Sequence, residues 1–199
     1  MSRKKEQIIP LKNNTIRAYT CGPTVYDYAH IGNFRSFLFS DLLVRYLKFK
    51  GFKTRHVMGI TDIDDKIIKR AMDKNTEPLK LALEFEKIFK QELEELNIHS
   101  IDVFPRSTEL INEIIAQIKR MLGKKVAYQT KNGVYFEVAA FPTYGKLSHQ
   151  DLSELSKHRI DADELKKDQK DFALWKITPK DEINWDSPWG KGRPGWHIE

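Results

Sequence analysis

His30 and Asn33 stand three residues apart in the run Pro23-Thr24-Val25-Tyr26-Asp27-Tyr28-Ala29-His30-Ile31-Gly32-Asn33. In a helix that spacing puts two side-chain donors on one face. The run joins a predicted strand over 15–20 to a predicted helix over 34–50. At such a junction the backbone N–H groups and the positive end of the helix point beyond the carboxyl edge of a parallel sheet, which favours phosphate. Gly32 lets a ligand come close to the backbone. On spacing alone, the same residues also read as a capped helix with an incidental histidine.

Cys21, just upstream, is the single cysteine. It cannot form an internal disulfide, and its presence fits a reducing compartment. Taken alone it reads as a small buried hydrophobe. Asp62, Asp64 and Asp65 follow Thr61. Three carboxylates so close invite a Mg²⁺ reading. Their place at the start of a helical pattern favours capping of free N–H groups instead.

The elements that must hold these residues follow from periodicity. Residues 15–20 alternate apolar and polar, and Cys21-Gly22-Pro23-Thr24 is expected to break the strand. Phe34, Phe37, Leu38, Leu42, Tyr46 and Phe49 recur at helical spacing, with Phe39, Leu43 and Leu47 widening the stripe enough to predict cover on two sides. Gly51 stands where a C-terminal cap belongs. Residues 53–58 read as a second strand, so strand, helix and strand make a βαβ unit with a parallel sheet. Helices follow over the Ile67–Ala71 stretch, after Pro78, and after Ser107. From Gly123 onward the pattern turns to β: two β-prone runs flank Lys131-Asn132-Gly133, a hairpin signal. Residues 148–170 are polar and expected to be exposed. Residues 171–176 are apolar, and Trp185, Trp189 and Trp196 lie among glycines and prolines in an expected ordered loop.

The chain has 199 residues, 40% hydrophobic and 11% aromatic, enough for a packed core. Its net charge of +6 is compatible with a polyanion such as RNA or ATP, and equally with a lysine-rich solvated surface. The start lacks the apolar stretch of a secretory signal, and no segment has the length of apolar sequence that spans a membrane. A cytoplasmic protein with no membrane association is expected.

His30-Ile31-Gly32-Asn33 resembles the HIGH signature of class I aminoacyl-tRNA synthetases. The strings Cys21 to Asp27, Thr61 to Ala71, Asp171 to Lys176, Ser187 to Gly190 and Gly192 to Glu199 resemble cysteinyl-tRNA synthetases in particular. The resemblance implies an α/β fold, a Rossmann-like parallel sheet forming the first half of the nucleotide-binding fold over 1–122. An inserted α+β connective subdomain would occupy 123–192, and the second half of the fold would begin at 193–199. It implies an enzyme that joins cysteine to ATP, with Mg²⁺, and passes the cysteinyl group to tRNA(Cys), most simply as a monomer.

By the same resemblance, His30 and Asn33 serve catalysis. Pro23, Thr24, Tyr26, His30, Gly32 and Asn33 bind ATP, Thr61 and Trp196 meet the substrate cysteine, and Cys21 is the first ligand of one Zn²⁺. Zinc suits the task, because it prefers a soft thiolate over the hydroxyl of serine. The family continues past Trp-His-Ile-Glu with a zinc-binding cysteine, further zinc ligands, a lysine-rich loop and an anticodon-binding domain. These 199 residues stop at Glu199, so the chain as given is expected to be incomplete for activity. Lys157-His158-Arg159-Ile160 departs from the small, glycine-containing stretch usual there. Two alternatives share these features: a non-catalytic synthetase fragment that binds nucleotide or RNA, and a ligase coupling cysteine to an amino sugar through the same adenylate.

Overall fold

The computed structural model describes residues 4–149, 164–179 and 182–198. Lys157 to Ile160, part of the polar stretch, and Glu199 lie outside them. The chain divides into two compact units, Lys5–Leu110 and a unit built from Ile111 onward.

In the first unit, strand β1 (Thr15–Thr24) pairs in parallel with β2 (Lys53–Thr61), and helix α1 (Ile31–Phe49) connects them. The expected βαβ unit is therefore present. The backbone at 102–106 extends the sheet beyond β2: Asp102 N–H donates to His56 C=O, Met58 N–H to Val103 C=O and Ile60 N–H to Pro105 C=O. Proline, with no N–H to give, suits that outer position. Helices α2 (Asp65–Asp73) and α3 (Pro78–Glu95) follow, with Pro78 in the first turn of α3. Phe34 and Phe37 of α1, Met58 and Ile60 of β2, Ile67 of α2, and Leu81, Phe85 and Phe89 of α3 close one apolar core. Burial of such side chains stabilises by roughly 1.5–3 kcal/mol each.

The expected break at Cys21-Gly22-Pro23 does not occur; β1 runs on to Thr24. Gly22 lies so close to β2 that a β-carbon there would sit 2.1 Å from Gly59 O. The glycine permits close strand contact rather than a turn, and a register irregularity between Cys21 and Thr24 absorbs the proline. Helix α1 begins at Ile31, three residues before its apolar stripe, and Gly51 follows its end in the left-handed region at φ +85°. The expected cover on two sides is not seen. Phe34, Phe37, Val44 and Leu47 are buried, while Phe39 and Leu42 are each 68% exposed and Phe49 84%.

A buried polar network braces this sheet. His56 of β2 is hydrogen-bonded through Nε2 to Thr20 Oγ1 at 2.7 Å and through Nδ1 to Ser100 Oγ at 3.0 Å. Asp41 of α1 accepts the N–H groups of His99 and Ser100. Burial holds His56 below the ordinary histidine pKa, so it packs as a neutral ring.

The second unit is α+β. Helix α4 (Ile111–Gly123) precedes an antiparallel sheet ordered β3 (Ala127–Thr130), β4 (Gly133–Phe136), β5 (Phe172–Ile177) and β6 (Gly192–Pro194). Thr130 pairs with Gly133, which leaves Lys131-Asn132 as the hairpin loop. Ile111, Ile114 and Ile118 of α4 pack with Val134, Leu174 and Trp175. The tryptophan-rich segment expected as loop contributes β6 and a bridge from Trp185 to Gly192.

Candidate functional site

Parallel pairing sets the carboxyl ends of β1 and β2 side by side. Cys21 is opposite Gly59 and Thr24 opposite Thr61, and Val25 N–H donates to Thr61 C=O at 3.1 Å. Pro23, Thr24 and Thr61 therefore share one strand edge, from which the chain enters the loop at 25–30 and then α1. In open parallel sheets this edge is the usual place for a ligand.

His30 is the N-cap of α1. Its Nδ1 accepts the N–H of Gly32 at 3.1 Å, and Asn33 Oδ1 accepts the N–H of His30 at 3.2 Å, a reciprocal capping box. The capping and ligand readings of these residues are thus compatible. Because Nδ1 accepts a hydrogen bond, the neutral ring carries its proton on Nε2, and His30 presents an N–H donor from an exposed position. The cap uses Asn33 through its oxygen and does not use its amide donors. Together with the positive end of α1, these groups can meet an oxyanion.

The loop between strand and helix is tied down by residues far along the sequence. Asp27 accepts its neighbour's N–H, that of Tyr28, on Oδ1 at 3.0 Å and Arg70 Nη2 on Oδ2 at 2.8 Å. Lys66 of α2 stands 5.6 Å over the Tyr26 ring, and Tyr28 meets Phe85 of α3 edge to face at 5.4 Å. These ties link two of the motif strings, yet no local pattern in the sequence marks them. Nothing in a spacing of 43 residues signals a pair, although both Asp27 and Arg70 lie within strings singled out for other reasons.

The three aspartates divide the work. Asp64 caps α2 by accepting Lys66 N–H at 2.9 Å, and Asp65 lies exposed in the first turn. Asp62 does not cap α2. It is buried and accepts both the N–H and the hydroxyl of Thr108, which fastens the end of β2 to the turn at Ser107–Leu110. Burial raises its pKa despite those bonds.

Cys21 is exposed, so the reading of it as a buried packing residue fails. Its thiol fits one soft metal ligand and no more: no group of three or more histidine, cysteine, aspartate or glutamate side chains that could hold an ion occurs among the described residues. A zinc site needs at least three protein ligands, so the described donors do not by themselves fit the ion. Trp196 belongs to the second unit. It is 57% exposed on the turn after β6, its ring 4.9 Å from that of His197, and Gly195 N–H holds the segment to Leu174 C=O.

No helix of the described residues is long and apolar enough to cross a membrane. The family model described as the tRNA synthetases class I (C) catalytic domain matches residues 7–199. Among similar proteins, the cysteine–tRNA ligase of Pyrococcus abyssi (strain GE5 / Orsay) is 50% identical. Those of Thermococcus kodakarensis and Methanococcus maripaludis (strain C7) are 48% and 46% identical. Each match covers 100% of this chain, and the chain spans 42% of the length of these relatives.

Proposed function

The chain belongs to the family of class I (C) tRNA synthetase catalytic domains, and on that premise we propose that the full-length protein is a cysteine–tRNA ligase. It activates cysteine with ATP and transfers the cysteinyl group to the 3′ end of tRNA(Cys). In the first step a carboxylate oxygen of cysteine attacks the α-phosphorus. The bond to the bridging oxygen of the β-phosphate breaks, and pyrophosphate leaves with the electron pair. No protein nucleophile is required, so the residues act by position and by stabilising charge on phosphate oxygens.

The single observation that carries this reading is the cap of α1. With Nδ1 held by Gly32 N–H, His30 directs Nε2–H outward as a donor, at a helix N-terminus that a short loop joins to the end of a parallel strand. In the proposed assignment His30 and Asn33 stabilise the developing phosphate charge. Pro23, Thr24, Tyr26 and Gly32 shape the nucleotide seat. Thr61, at the adjoining strand end, is assigned to the amino acid substrate, and Trp196 of the second unit carries the same assignment from the family resemblance alone. Magnesium accompanies ATP.

For zinc the proposal is limited to Cys21, which would be one thiolate ligand; the ion, once further ligands completed its site, would favour the sulfur of cysteine over the oxygen of serine. The first unit is assigned to the first half of the nucleotide-binding fold, and much of the second to an inserted connective subdomain. A monomer acting in the cytoplasm goes with this reading. Charging of tRNA(Cys) transcript with labelled cysteine by the full-length protein tests it. Charging that requires both ATP and cysteine is expected, and a folded full-length protein that charges nothing contradicts it.

A further inference from the structure

Asp27 is the hinge between the candidate nucleotide loop and α2. Its carboxylate is bound on both oxygens. One accepts the loop's own backbone at Tyr28 and the other accepts Arg70 Nη2 at 2.8 Å, from a helix that begins 38 residues later in the chain than Asp27 itself. Three residues on, His30 caps α1. The chain between these two fixed points is short, so the direction in which it leaves Asp27 governs where His30 starts the helix. Lys66, one turn before Arg70 on the same face of α2, stands over Tyr26, the residue before Asp27. Two cations of one helix face thus grip two successive residues of the loop.

The exposure of this pair separates position from stability. The Arg70 and Asp27 side chains are 38% and 37% exposed, and ion pairs that wet add little to folding. A salt bridge that contributes little to stability can still fix geometry: Arg70 Nη2 donates to one oxygen of Asp27 while the other oxygen holds the loop's own backbone, so the position of the guanidinium sets the orientation of the carboxylate and of the loop bound to it. We propose that Arg70 is a positioning residue for phosphate chemistry at His30, acting through Asp27. This rests on the reading of the protein as an adenylate-forming ligase. Arg70 makes no contact with the reacting groups in this mechanism. It sets the path of the loop so that the Nε2–H of His30 meets the α-phosphate oxygens as charge develops.

The test uses the full-length protein, unsubstituted and as Arg70→Met, Arg70→Lys and Asp27→Asn. Cysteine-dependent ATP–pyrophosphate exchange is measured beside Tm and backbone hydrogen exchange over residues 26–33. Arg70→Met is expected to lower kcat about 10–100-fold, the scale on which small misplacement of reacting groups acts. The KM for cysteine should hold, Tm should barely move, and amide exchange over 26–33 should quicken. Arg70→Lys keeps the charge without the planar guanidinium and should recover part of the rate. Asp27→Asn should resemble Arg70→Met. An unchanged kcat overturns the proposal, as does a loss of rate that only follows a fall in Tm. If the unsubstituted protein shows no cysteine-dependent exchange, the ligase reading itself fails. The amide data then decide the structural half: unchanged protection in Arg70→Met removes Arg70 as a positioning residue for the loop.

Discussion

The N–H of Gly32 donates to Nδ1 of His30 at 3.1 Å, and the ring lies so close that a β-carbon on residue 32 would come within 2.8 Å of its Cε1. The absent side chain of Gly32 and the tautomer of His30 are therefore one feature. Any side chain at 32 must push the ring away, and the proton on Nε2 is directed only while Nδ1 keeps its partner.

Gly32→Ala is expected to separate rate from stability. Losing the cap costs about 0.5–2 kcal/mol, while alanine in a helix gains roughly 0.8–1 kcal/mol over glycine. The two terms nearly offset, so Tm of the full-length protein should move little. Adenylate formation should fall, because the displaced ring no longer aims its donor. Stopped-flow measurement of adenylate formation beside a thermal melt reads both; an unchanged rate would show that the cap does not set the donor.

His30→Asn and His30→Ala divide the cap from the donor more sharply. Asparagine is among the best N-caps and restores an acceptor for the helix, but it lacks the reach and direction of Nε2–H. Both variants should lose about 10²–10³ in the rate of adenylate formation, whereas only His30→Ala should lose stability. Near-normal rates in His30→Asn would assign His30 to capping alone.

Glu86 predicts a pH dependence of stability. Burial pushes its carboxyl up, but hydrogen bonds from Arg106 at 2.6 and 3.1 Å and from Lys90 at 2.6 Å outweigh that and hold it below the ordinary glutamate value. A folded-state pKa below the unfolded one contributes stability above the unfolded value, near pH 4.5. That stability is lost as pH falls through the folded value. Glu86→Gln should therefore cost about 1–3 kcal/mol near pH 7, in denaturant melts of the full-length protein. The gap from the parent should close as pH drops below the unfolded value. A gap constant with pH would mean that packing, not the charge, is what the substitution removes.

Cys21→Ser in the full-length protein is expected to lower the zinc content found by elemental analysis. The preference for cysteine over serine in activation should fall with it. Zinc that stays stoichiometric with discrimination intact would remove Cys21 from the ligand set.

The elements of the first unit were readable because their signals are local. Apolar spacing marked α1, and the strand on either side of it made a parallel pair the simplest connection. Where the reading failed, a contact distant in sequence decided the outcome. Gly22-Pro23 looks like a break until Gly59 is known to lie against Gly22. Asp62 looks like a cap until Thr108 is found beside it. The site divides in the same way. The motif strings drew attention to His30, Asn33 and Thr61, and strand pairing then set Thr61 opposite Thr24. His56, joined to Thr20 and Ser100, and Asp27, joined to Arg70, carry no local mark of their partners. Phe39 and Leu42 widen the apolar stripe of α1 and are nonetheless exposed, because periodicity reports which residues are alike and not what covers them.

Cysteine-dependent ATP–pyrophosphate exchange by the full-length protein is the most direct test of adenylate formation at the His30 end of β1. Exchange should require cysteine, be far weaker with serine, and fall by about two to three orders of magnitude in His30→Asn. A folded full-length protein that exchanges equally well without cysteine, or whose His30→Asn form exchanges at the parent rate, would contradict it.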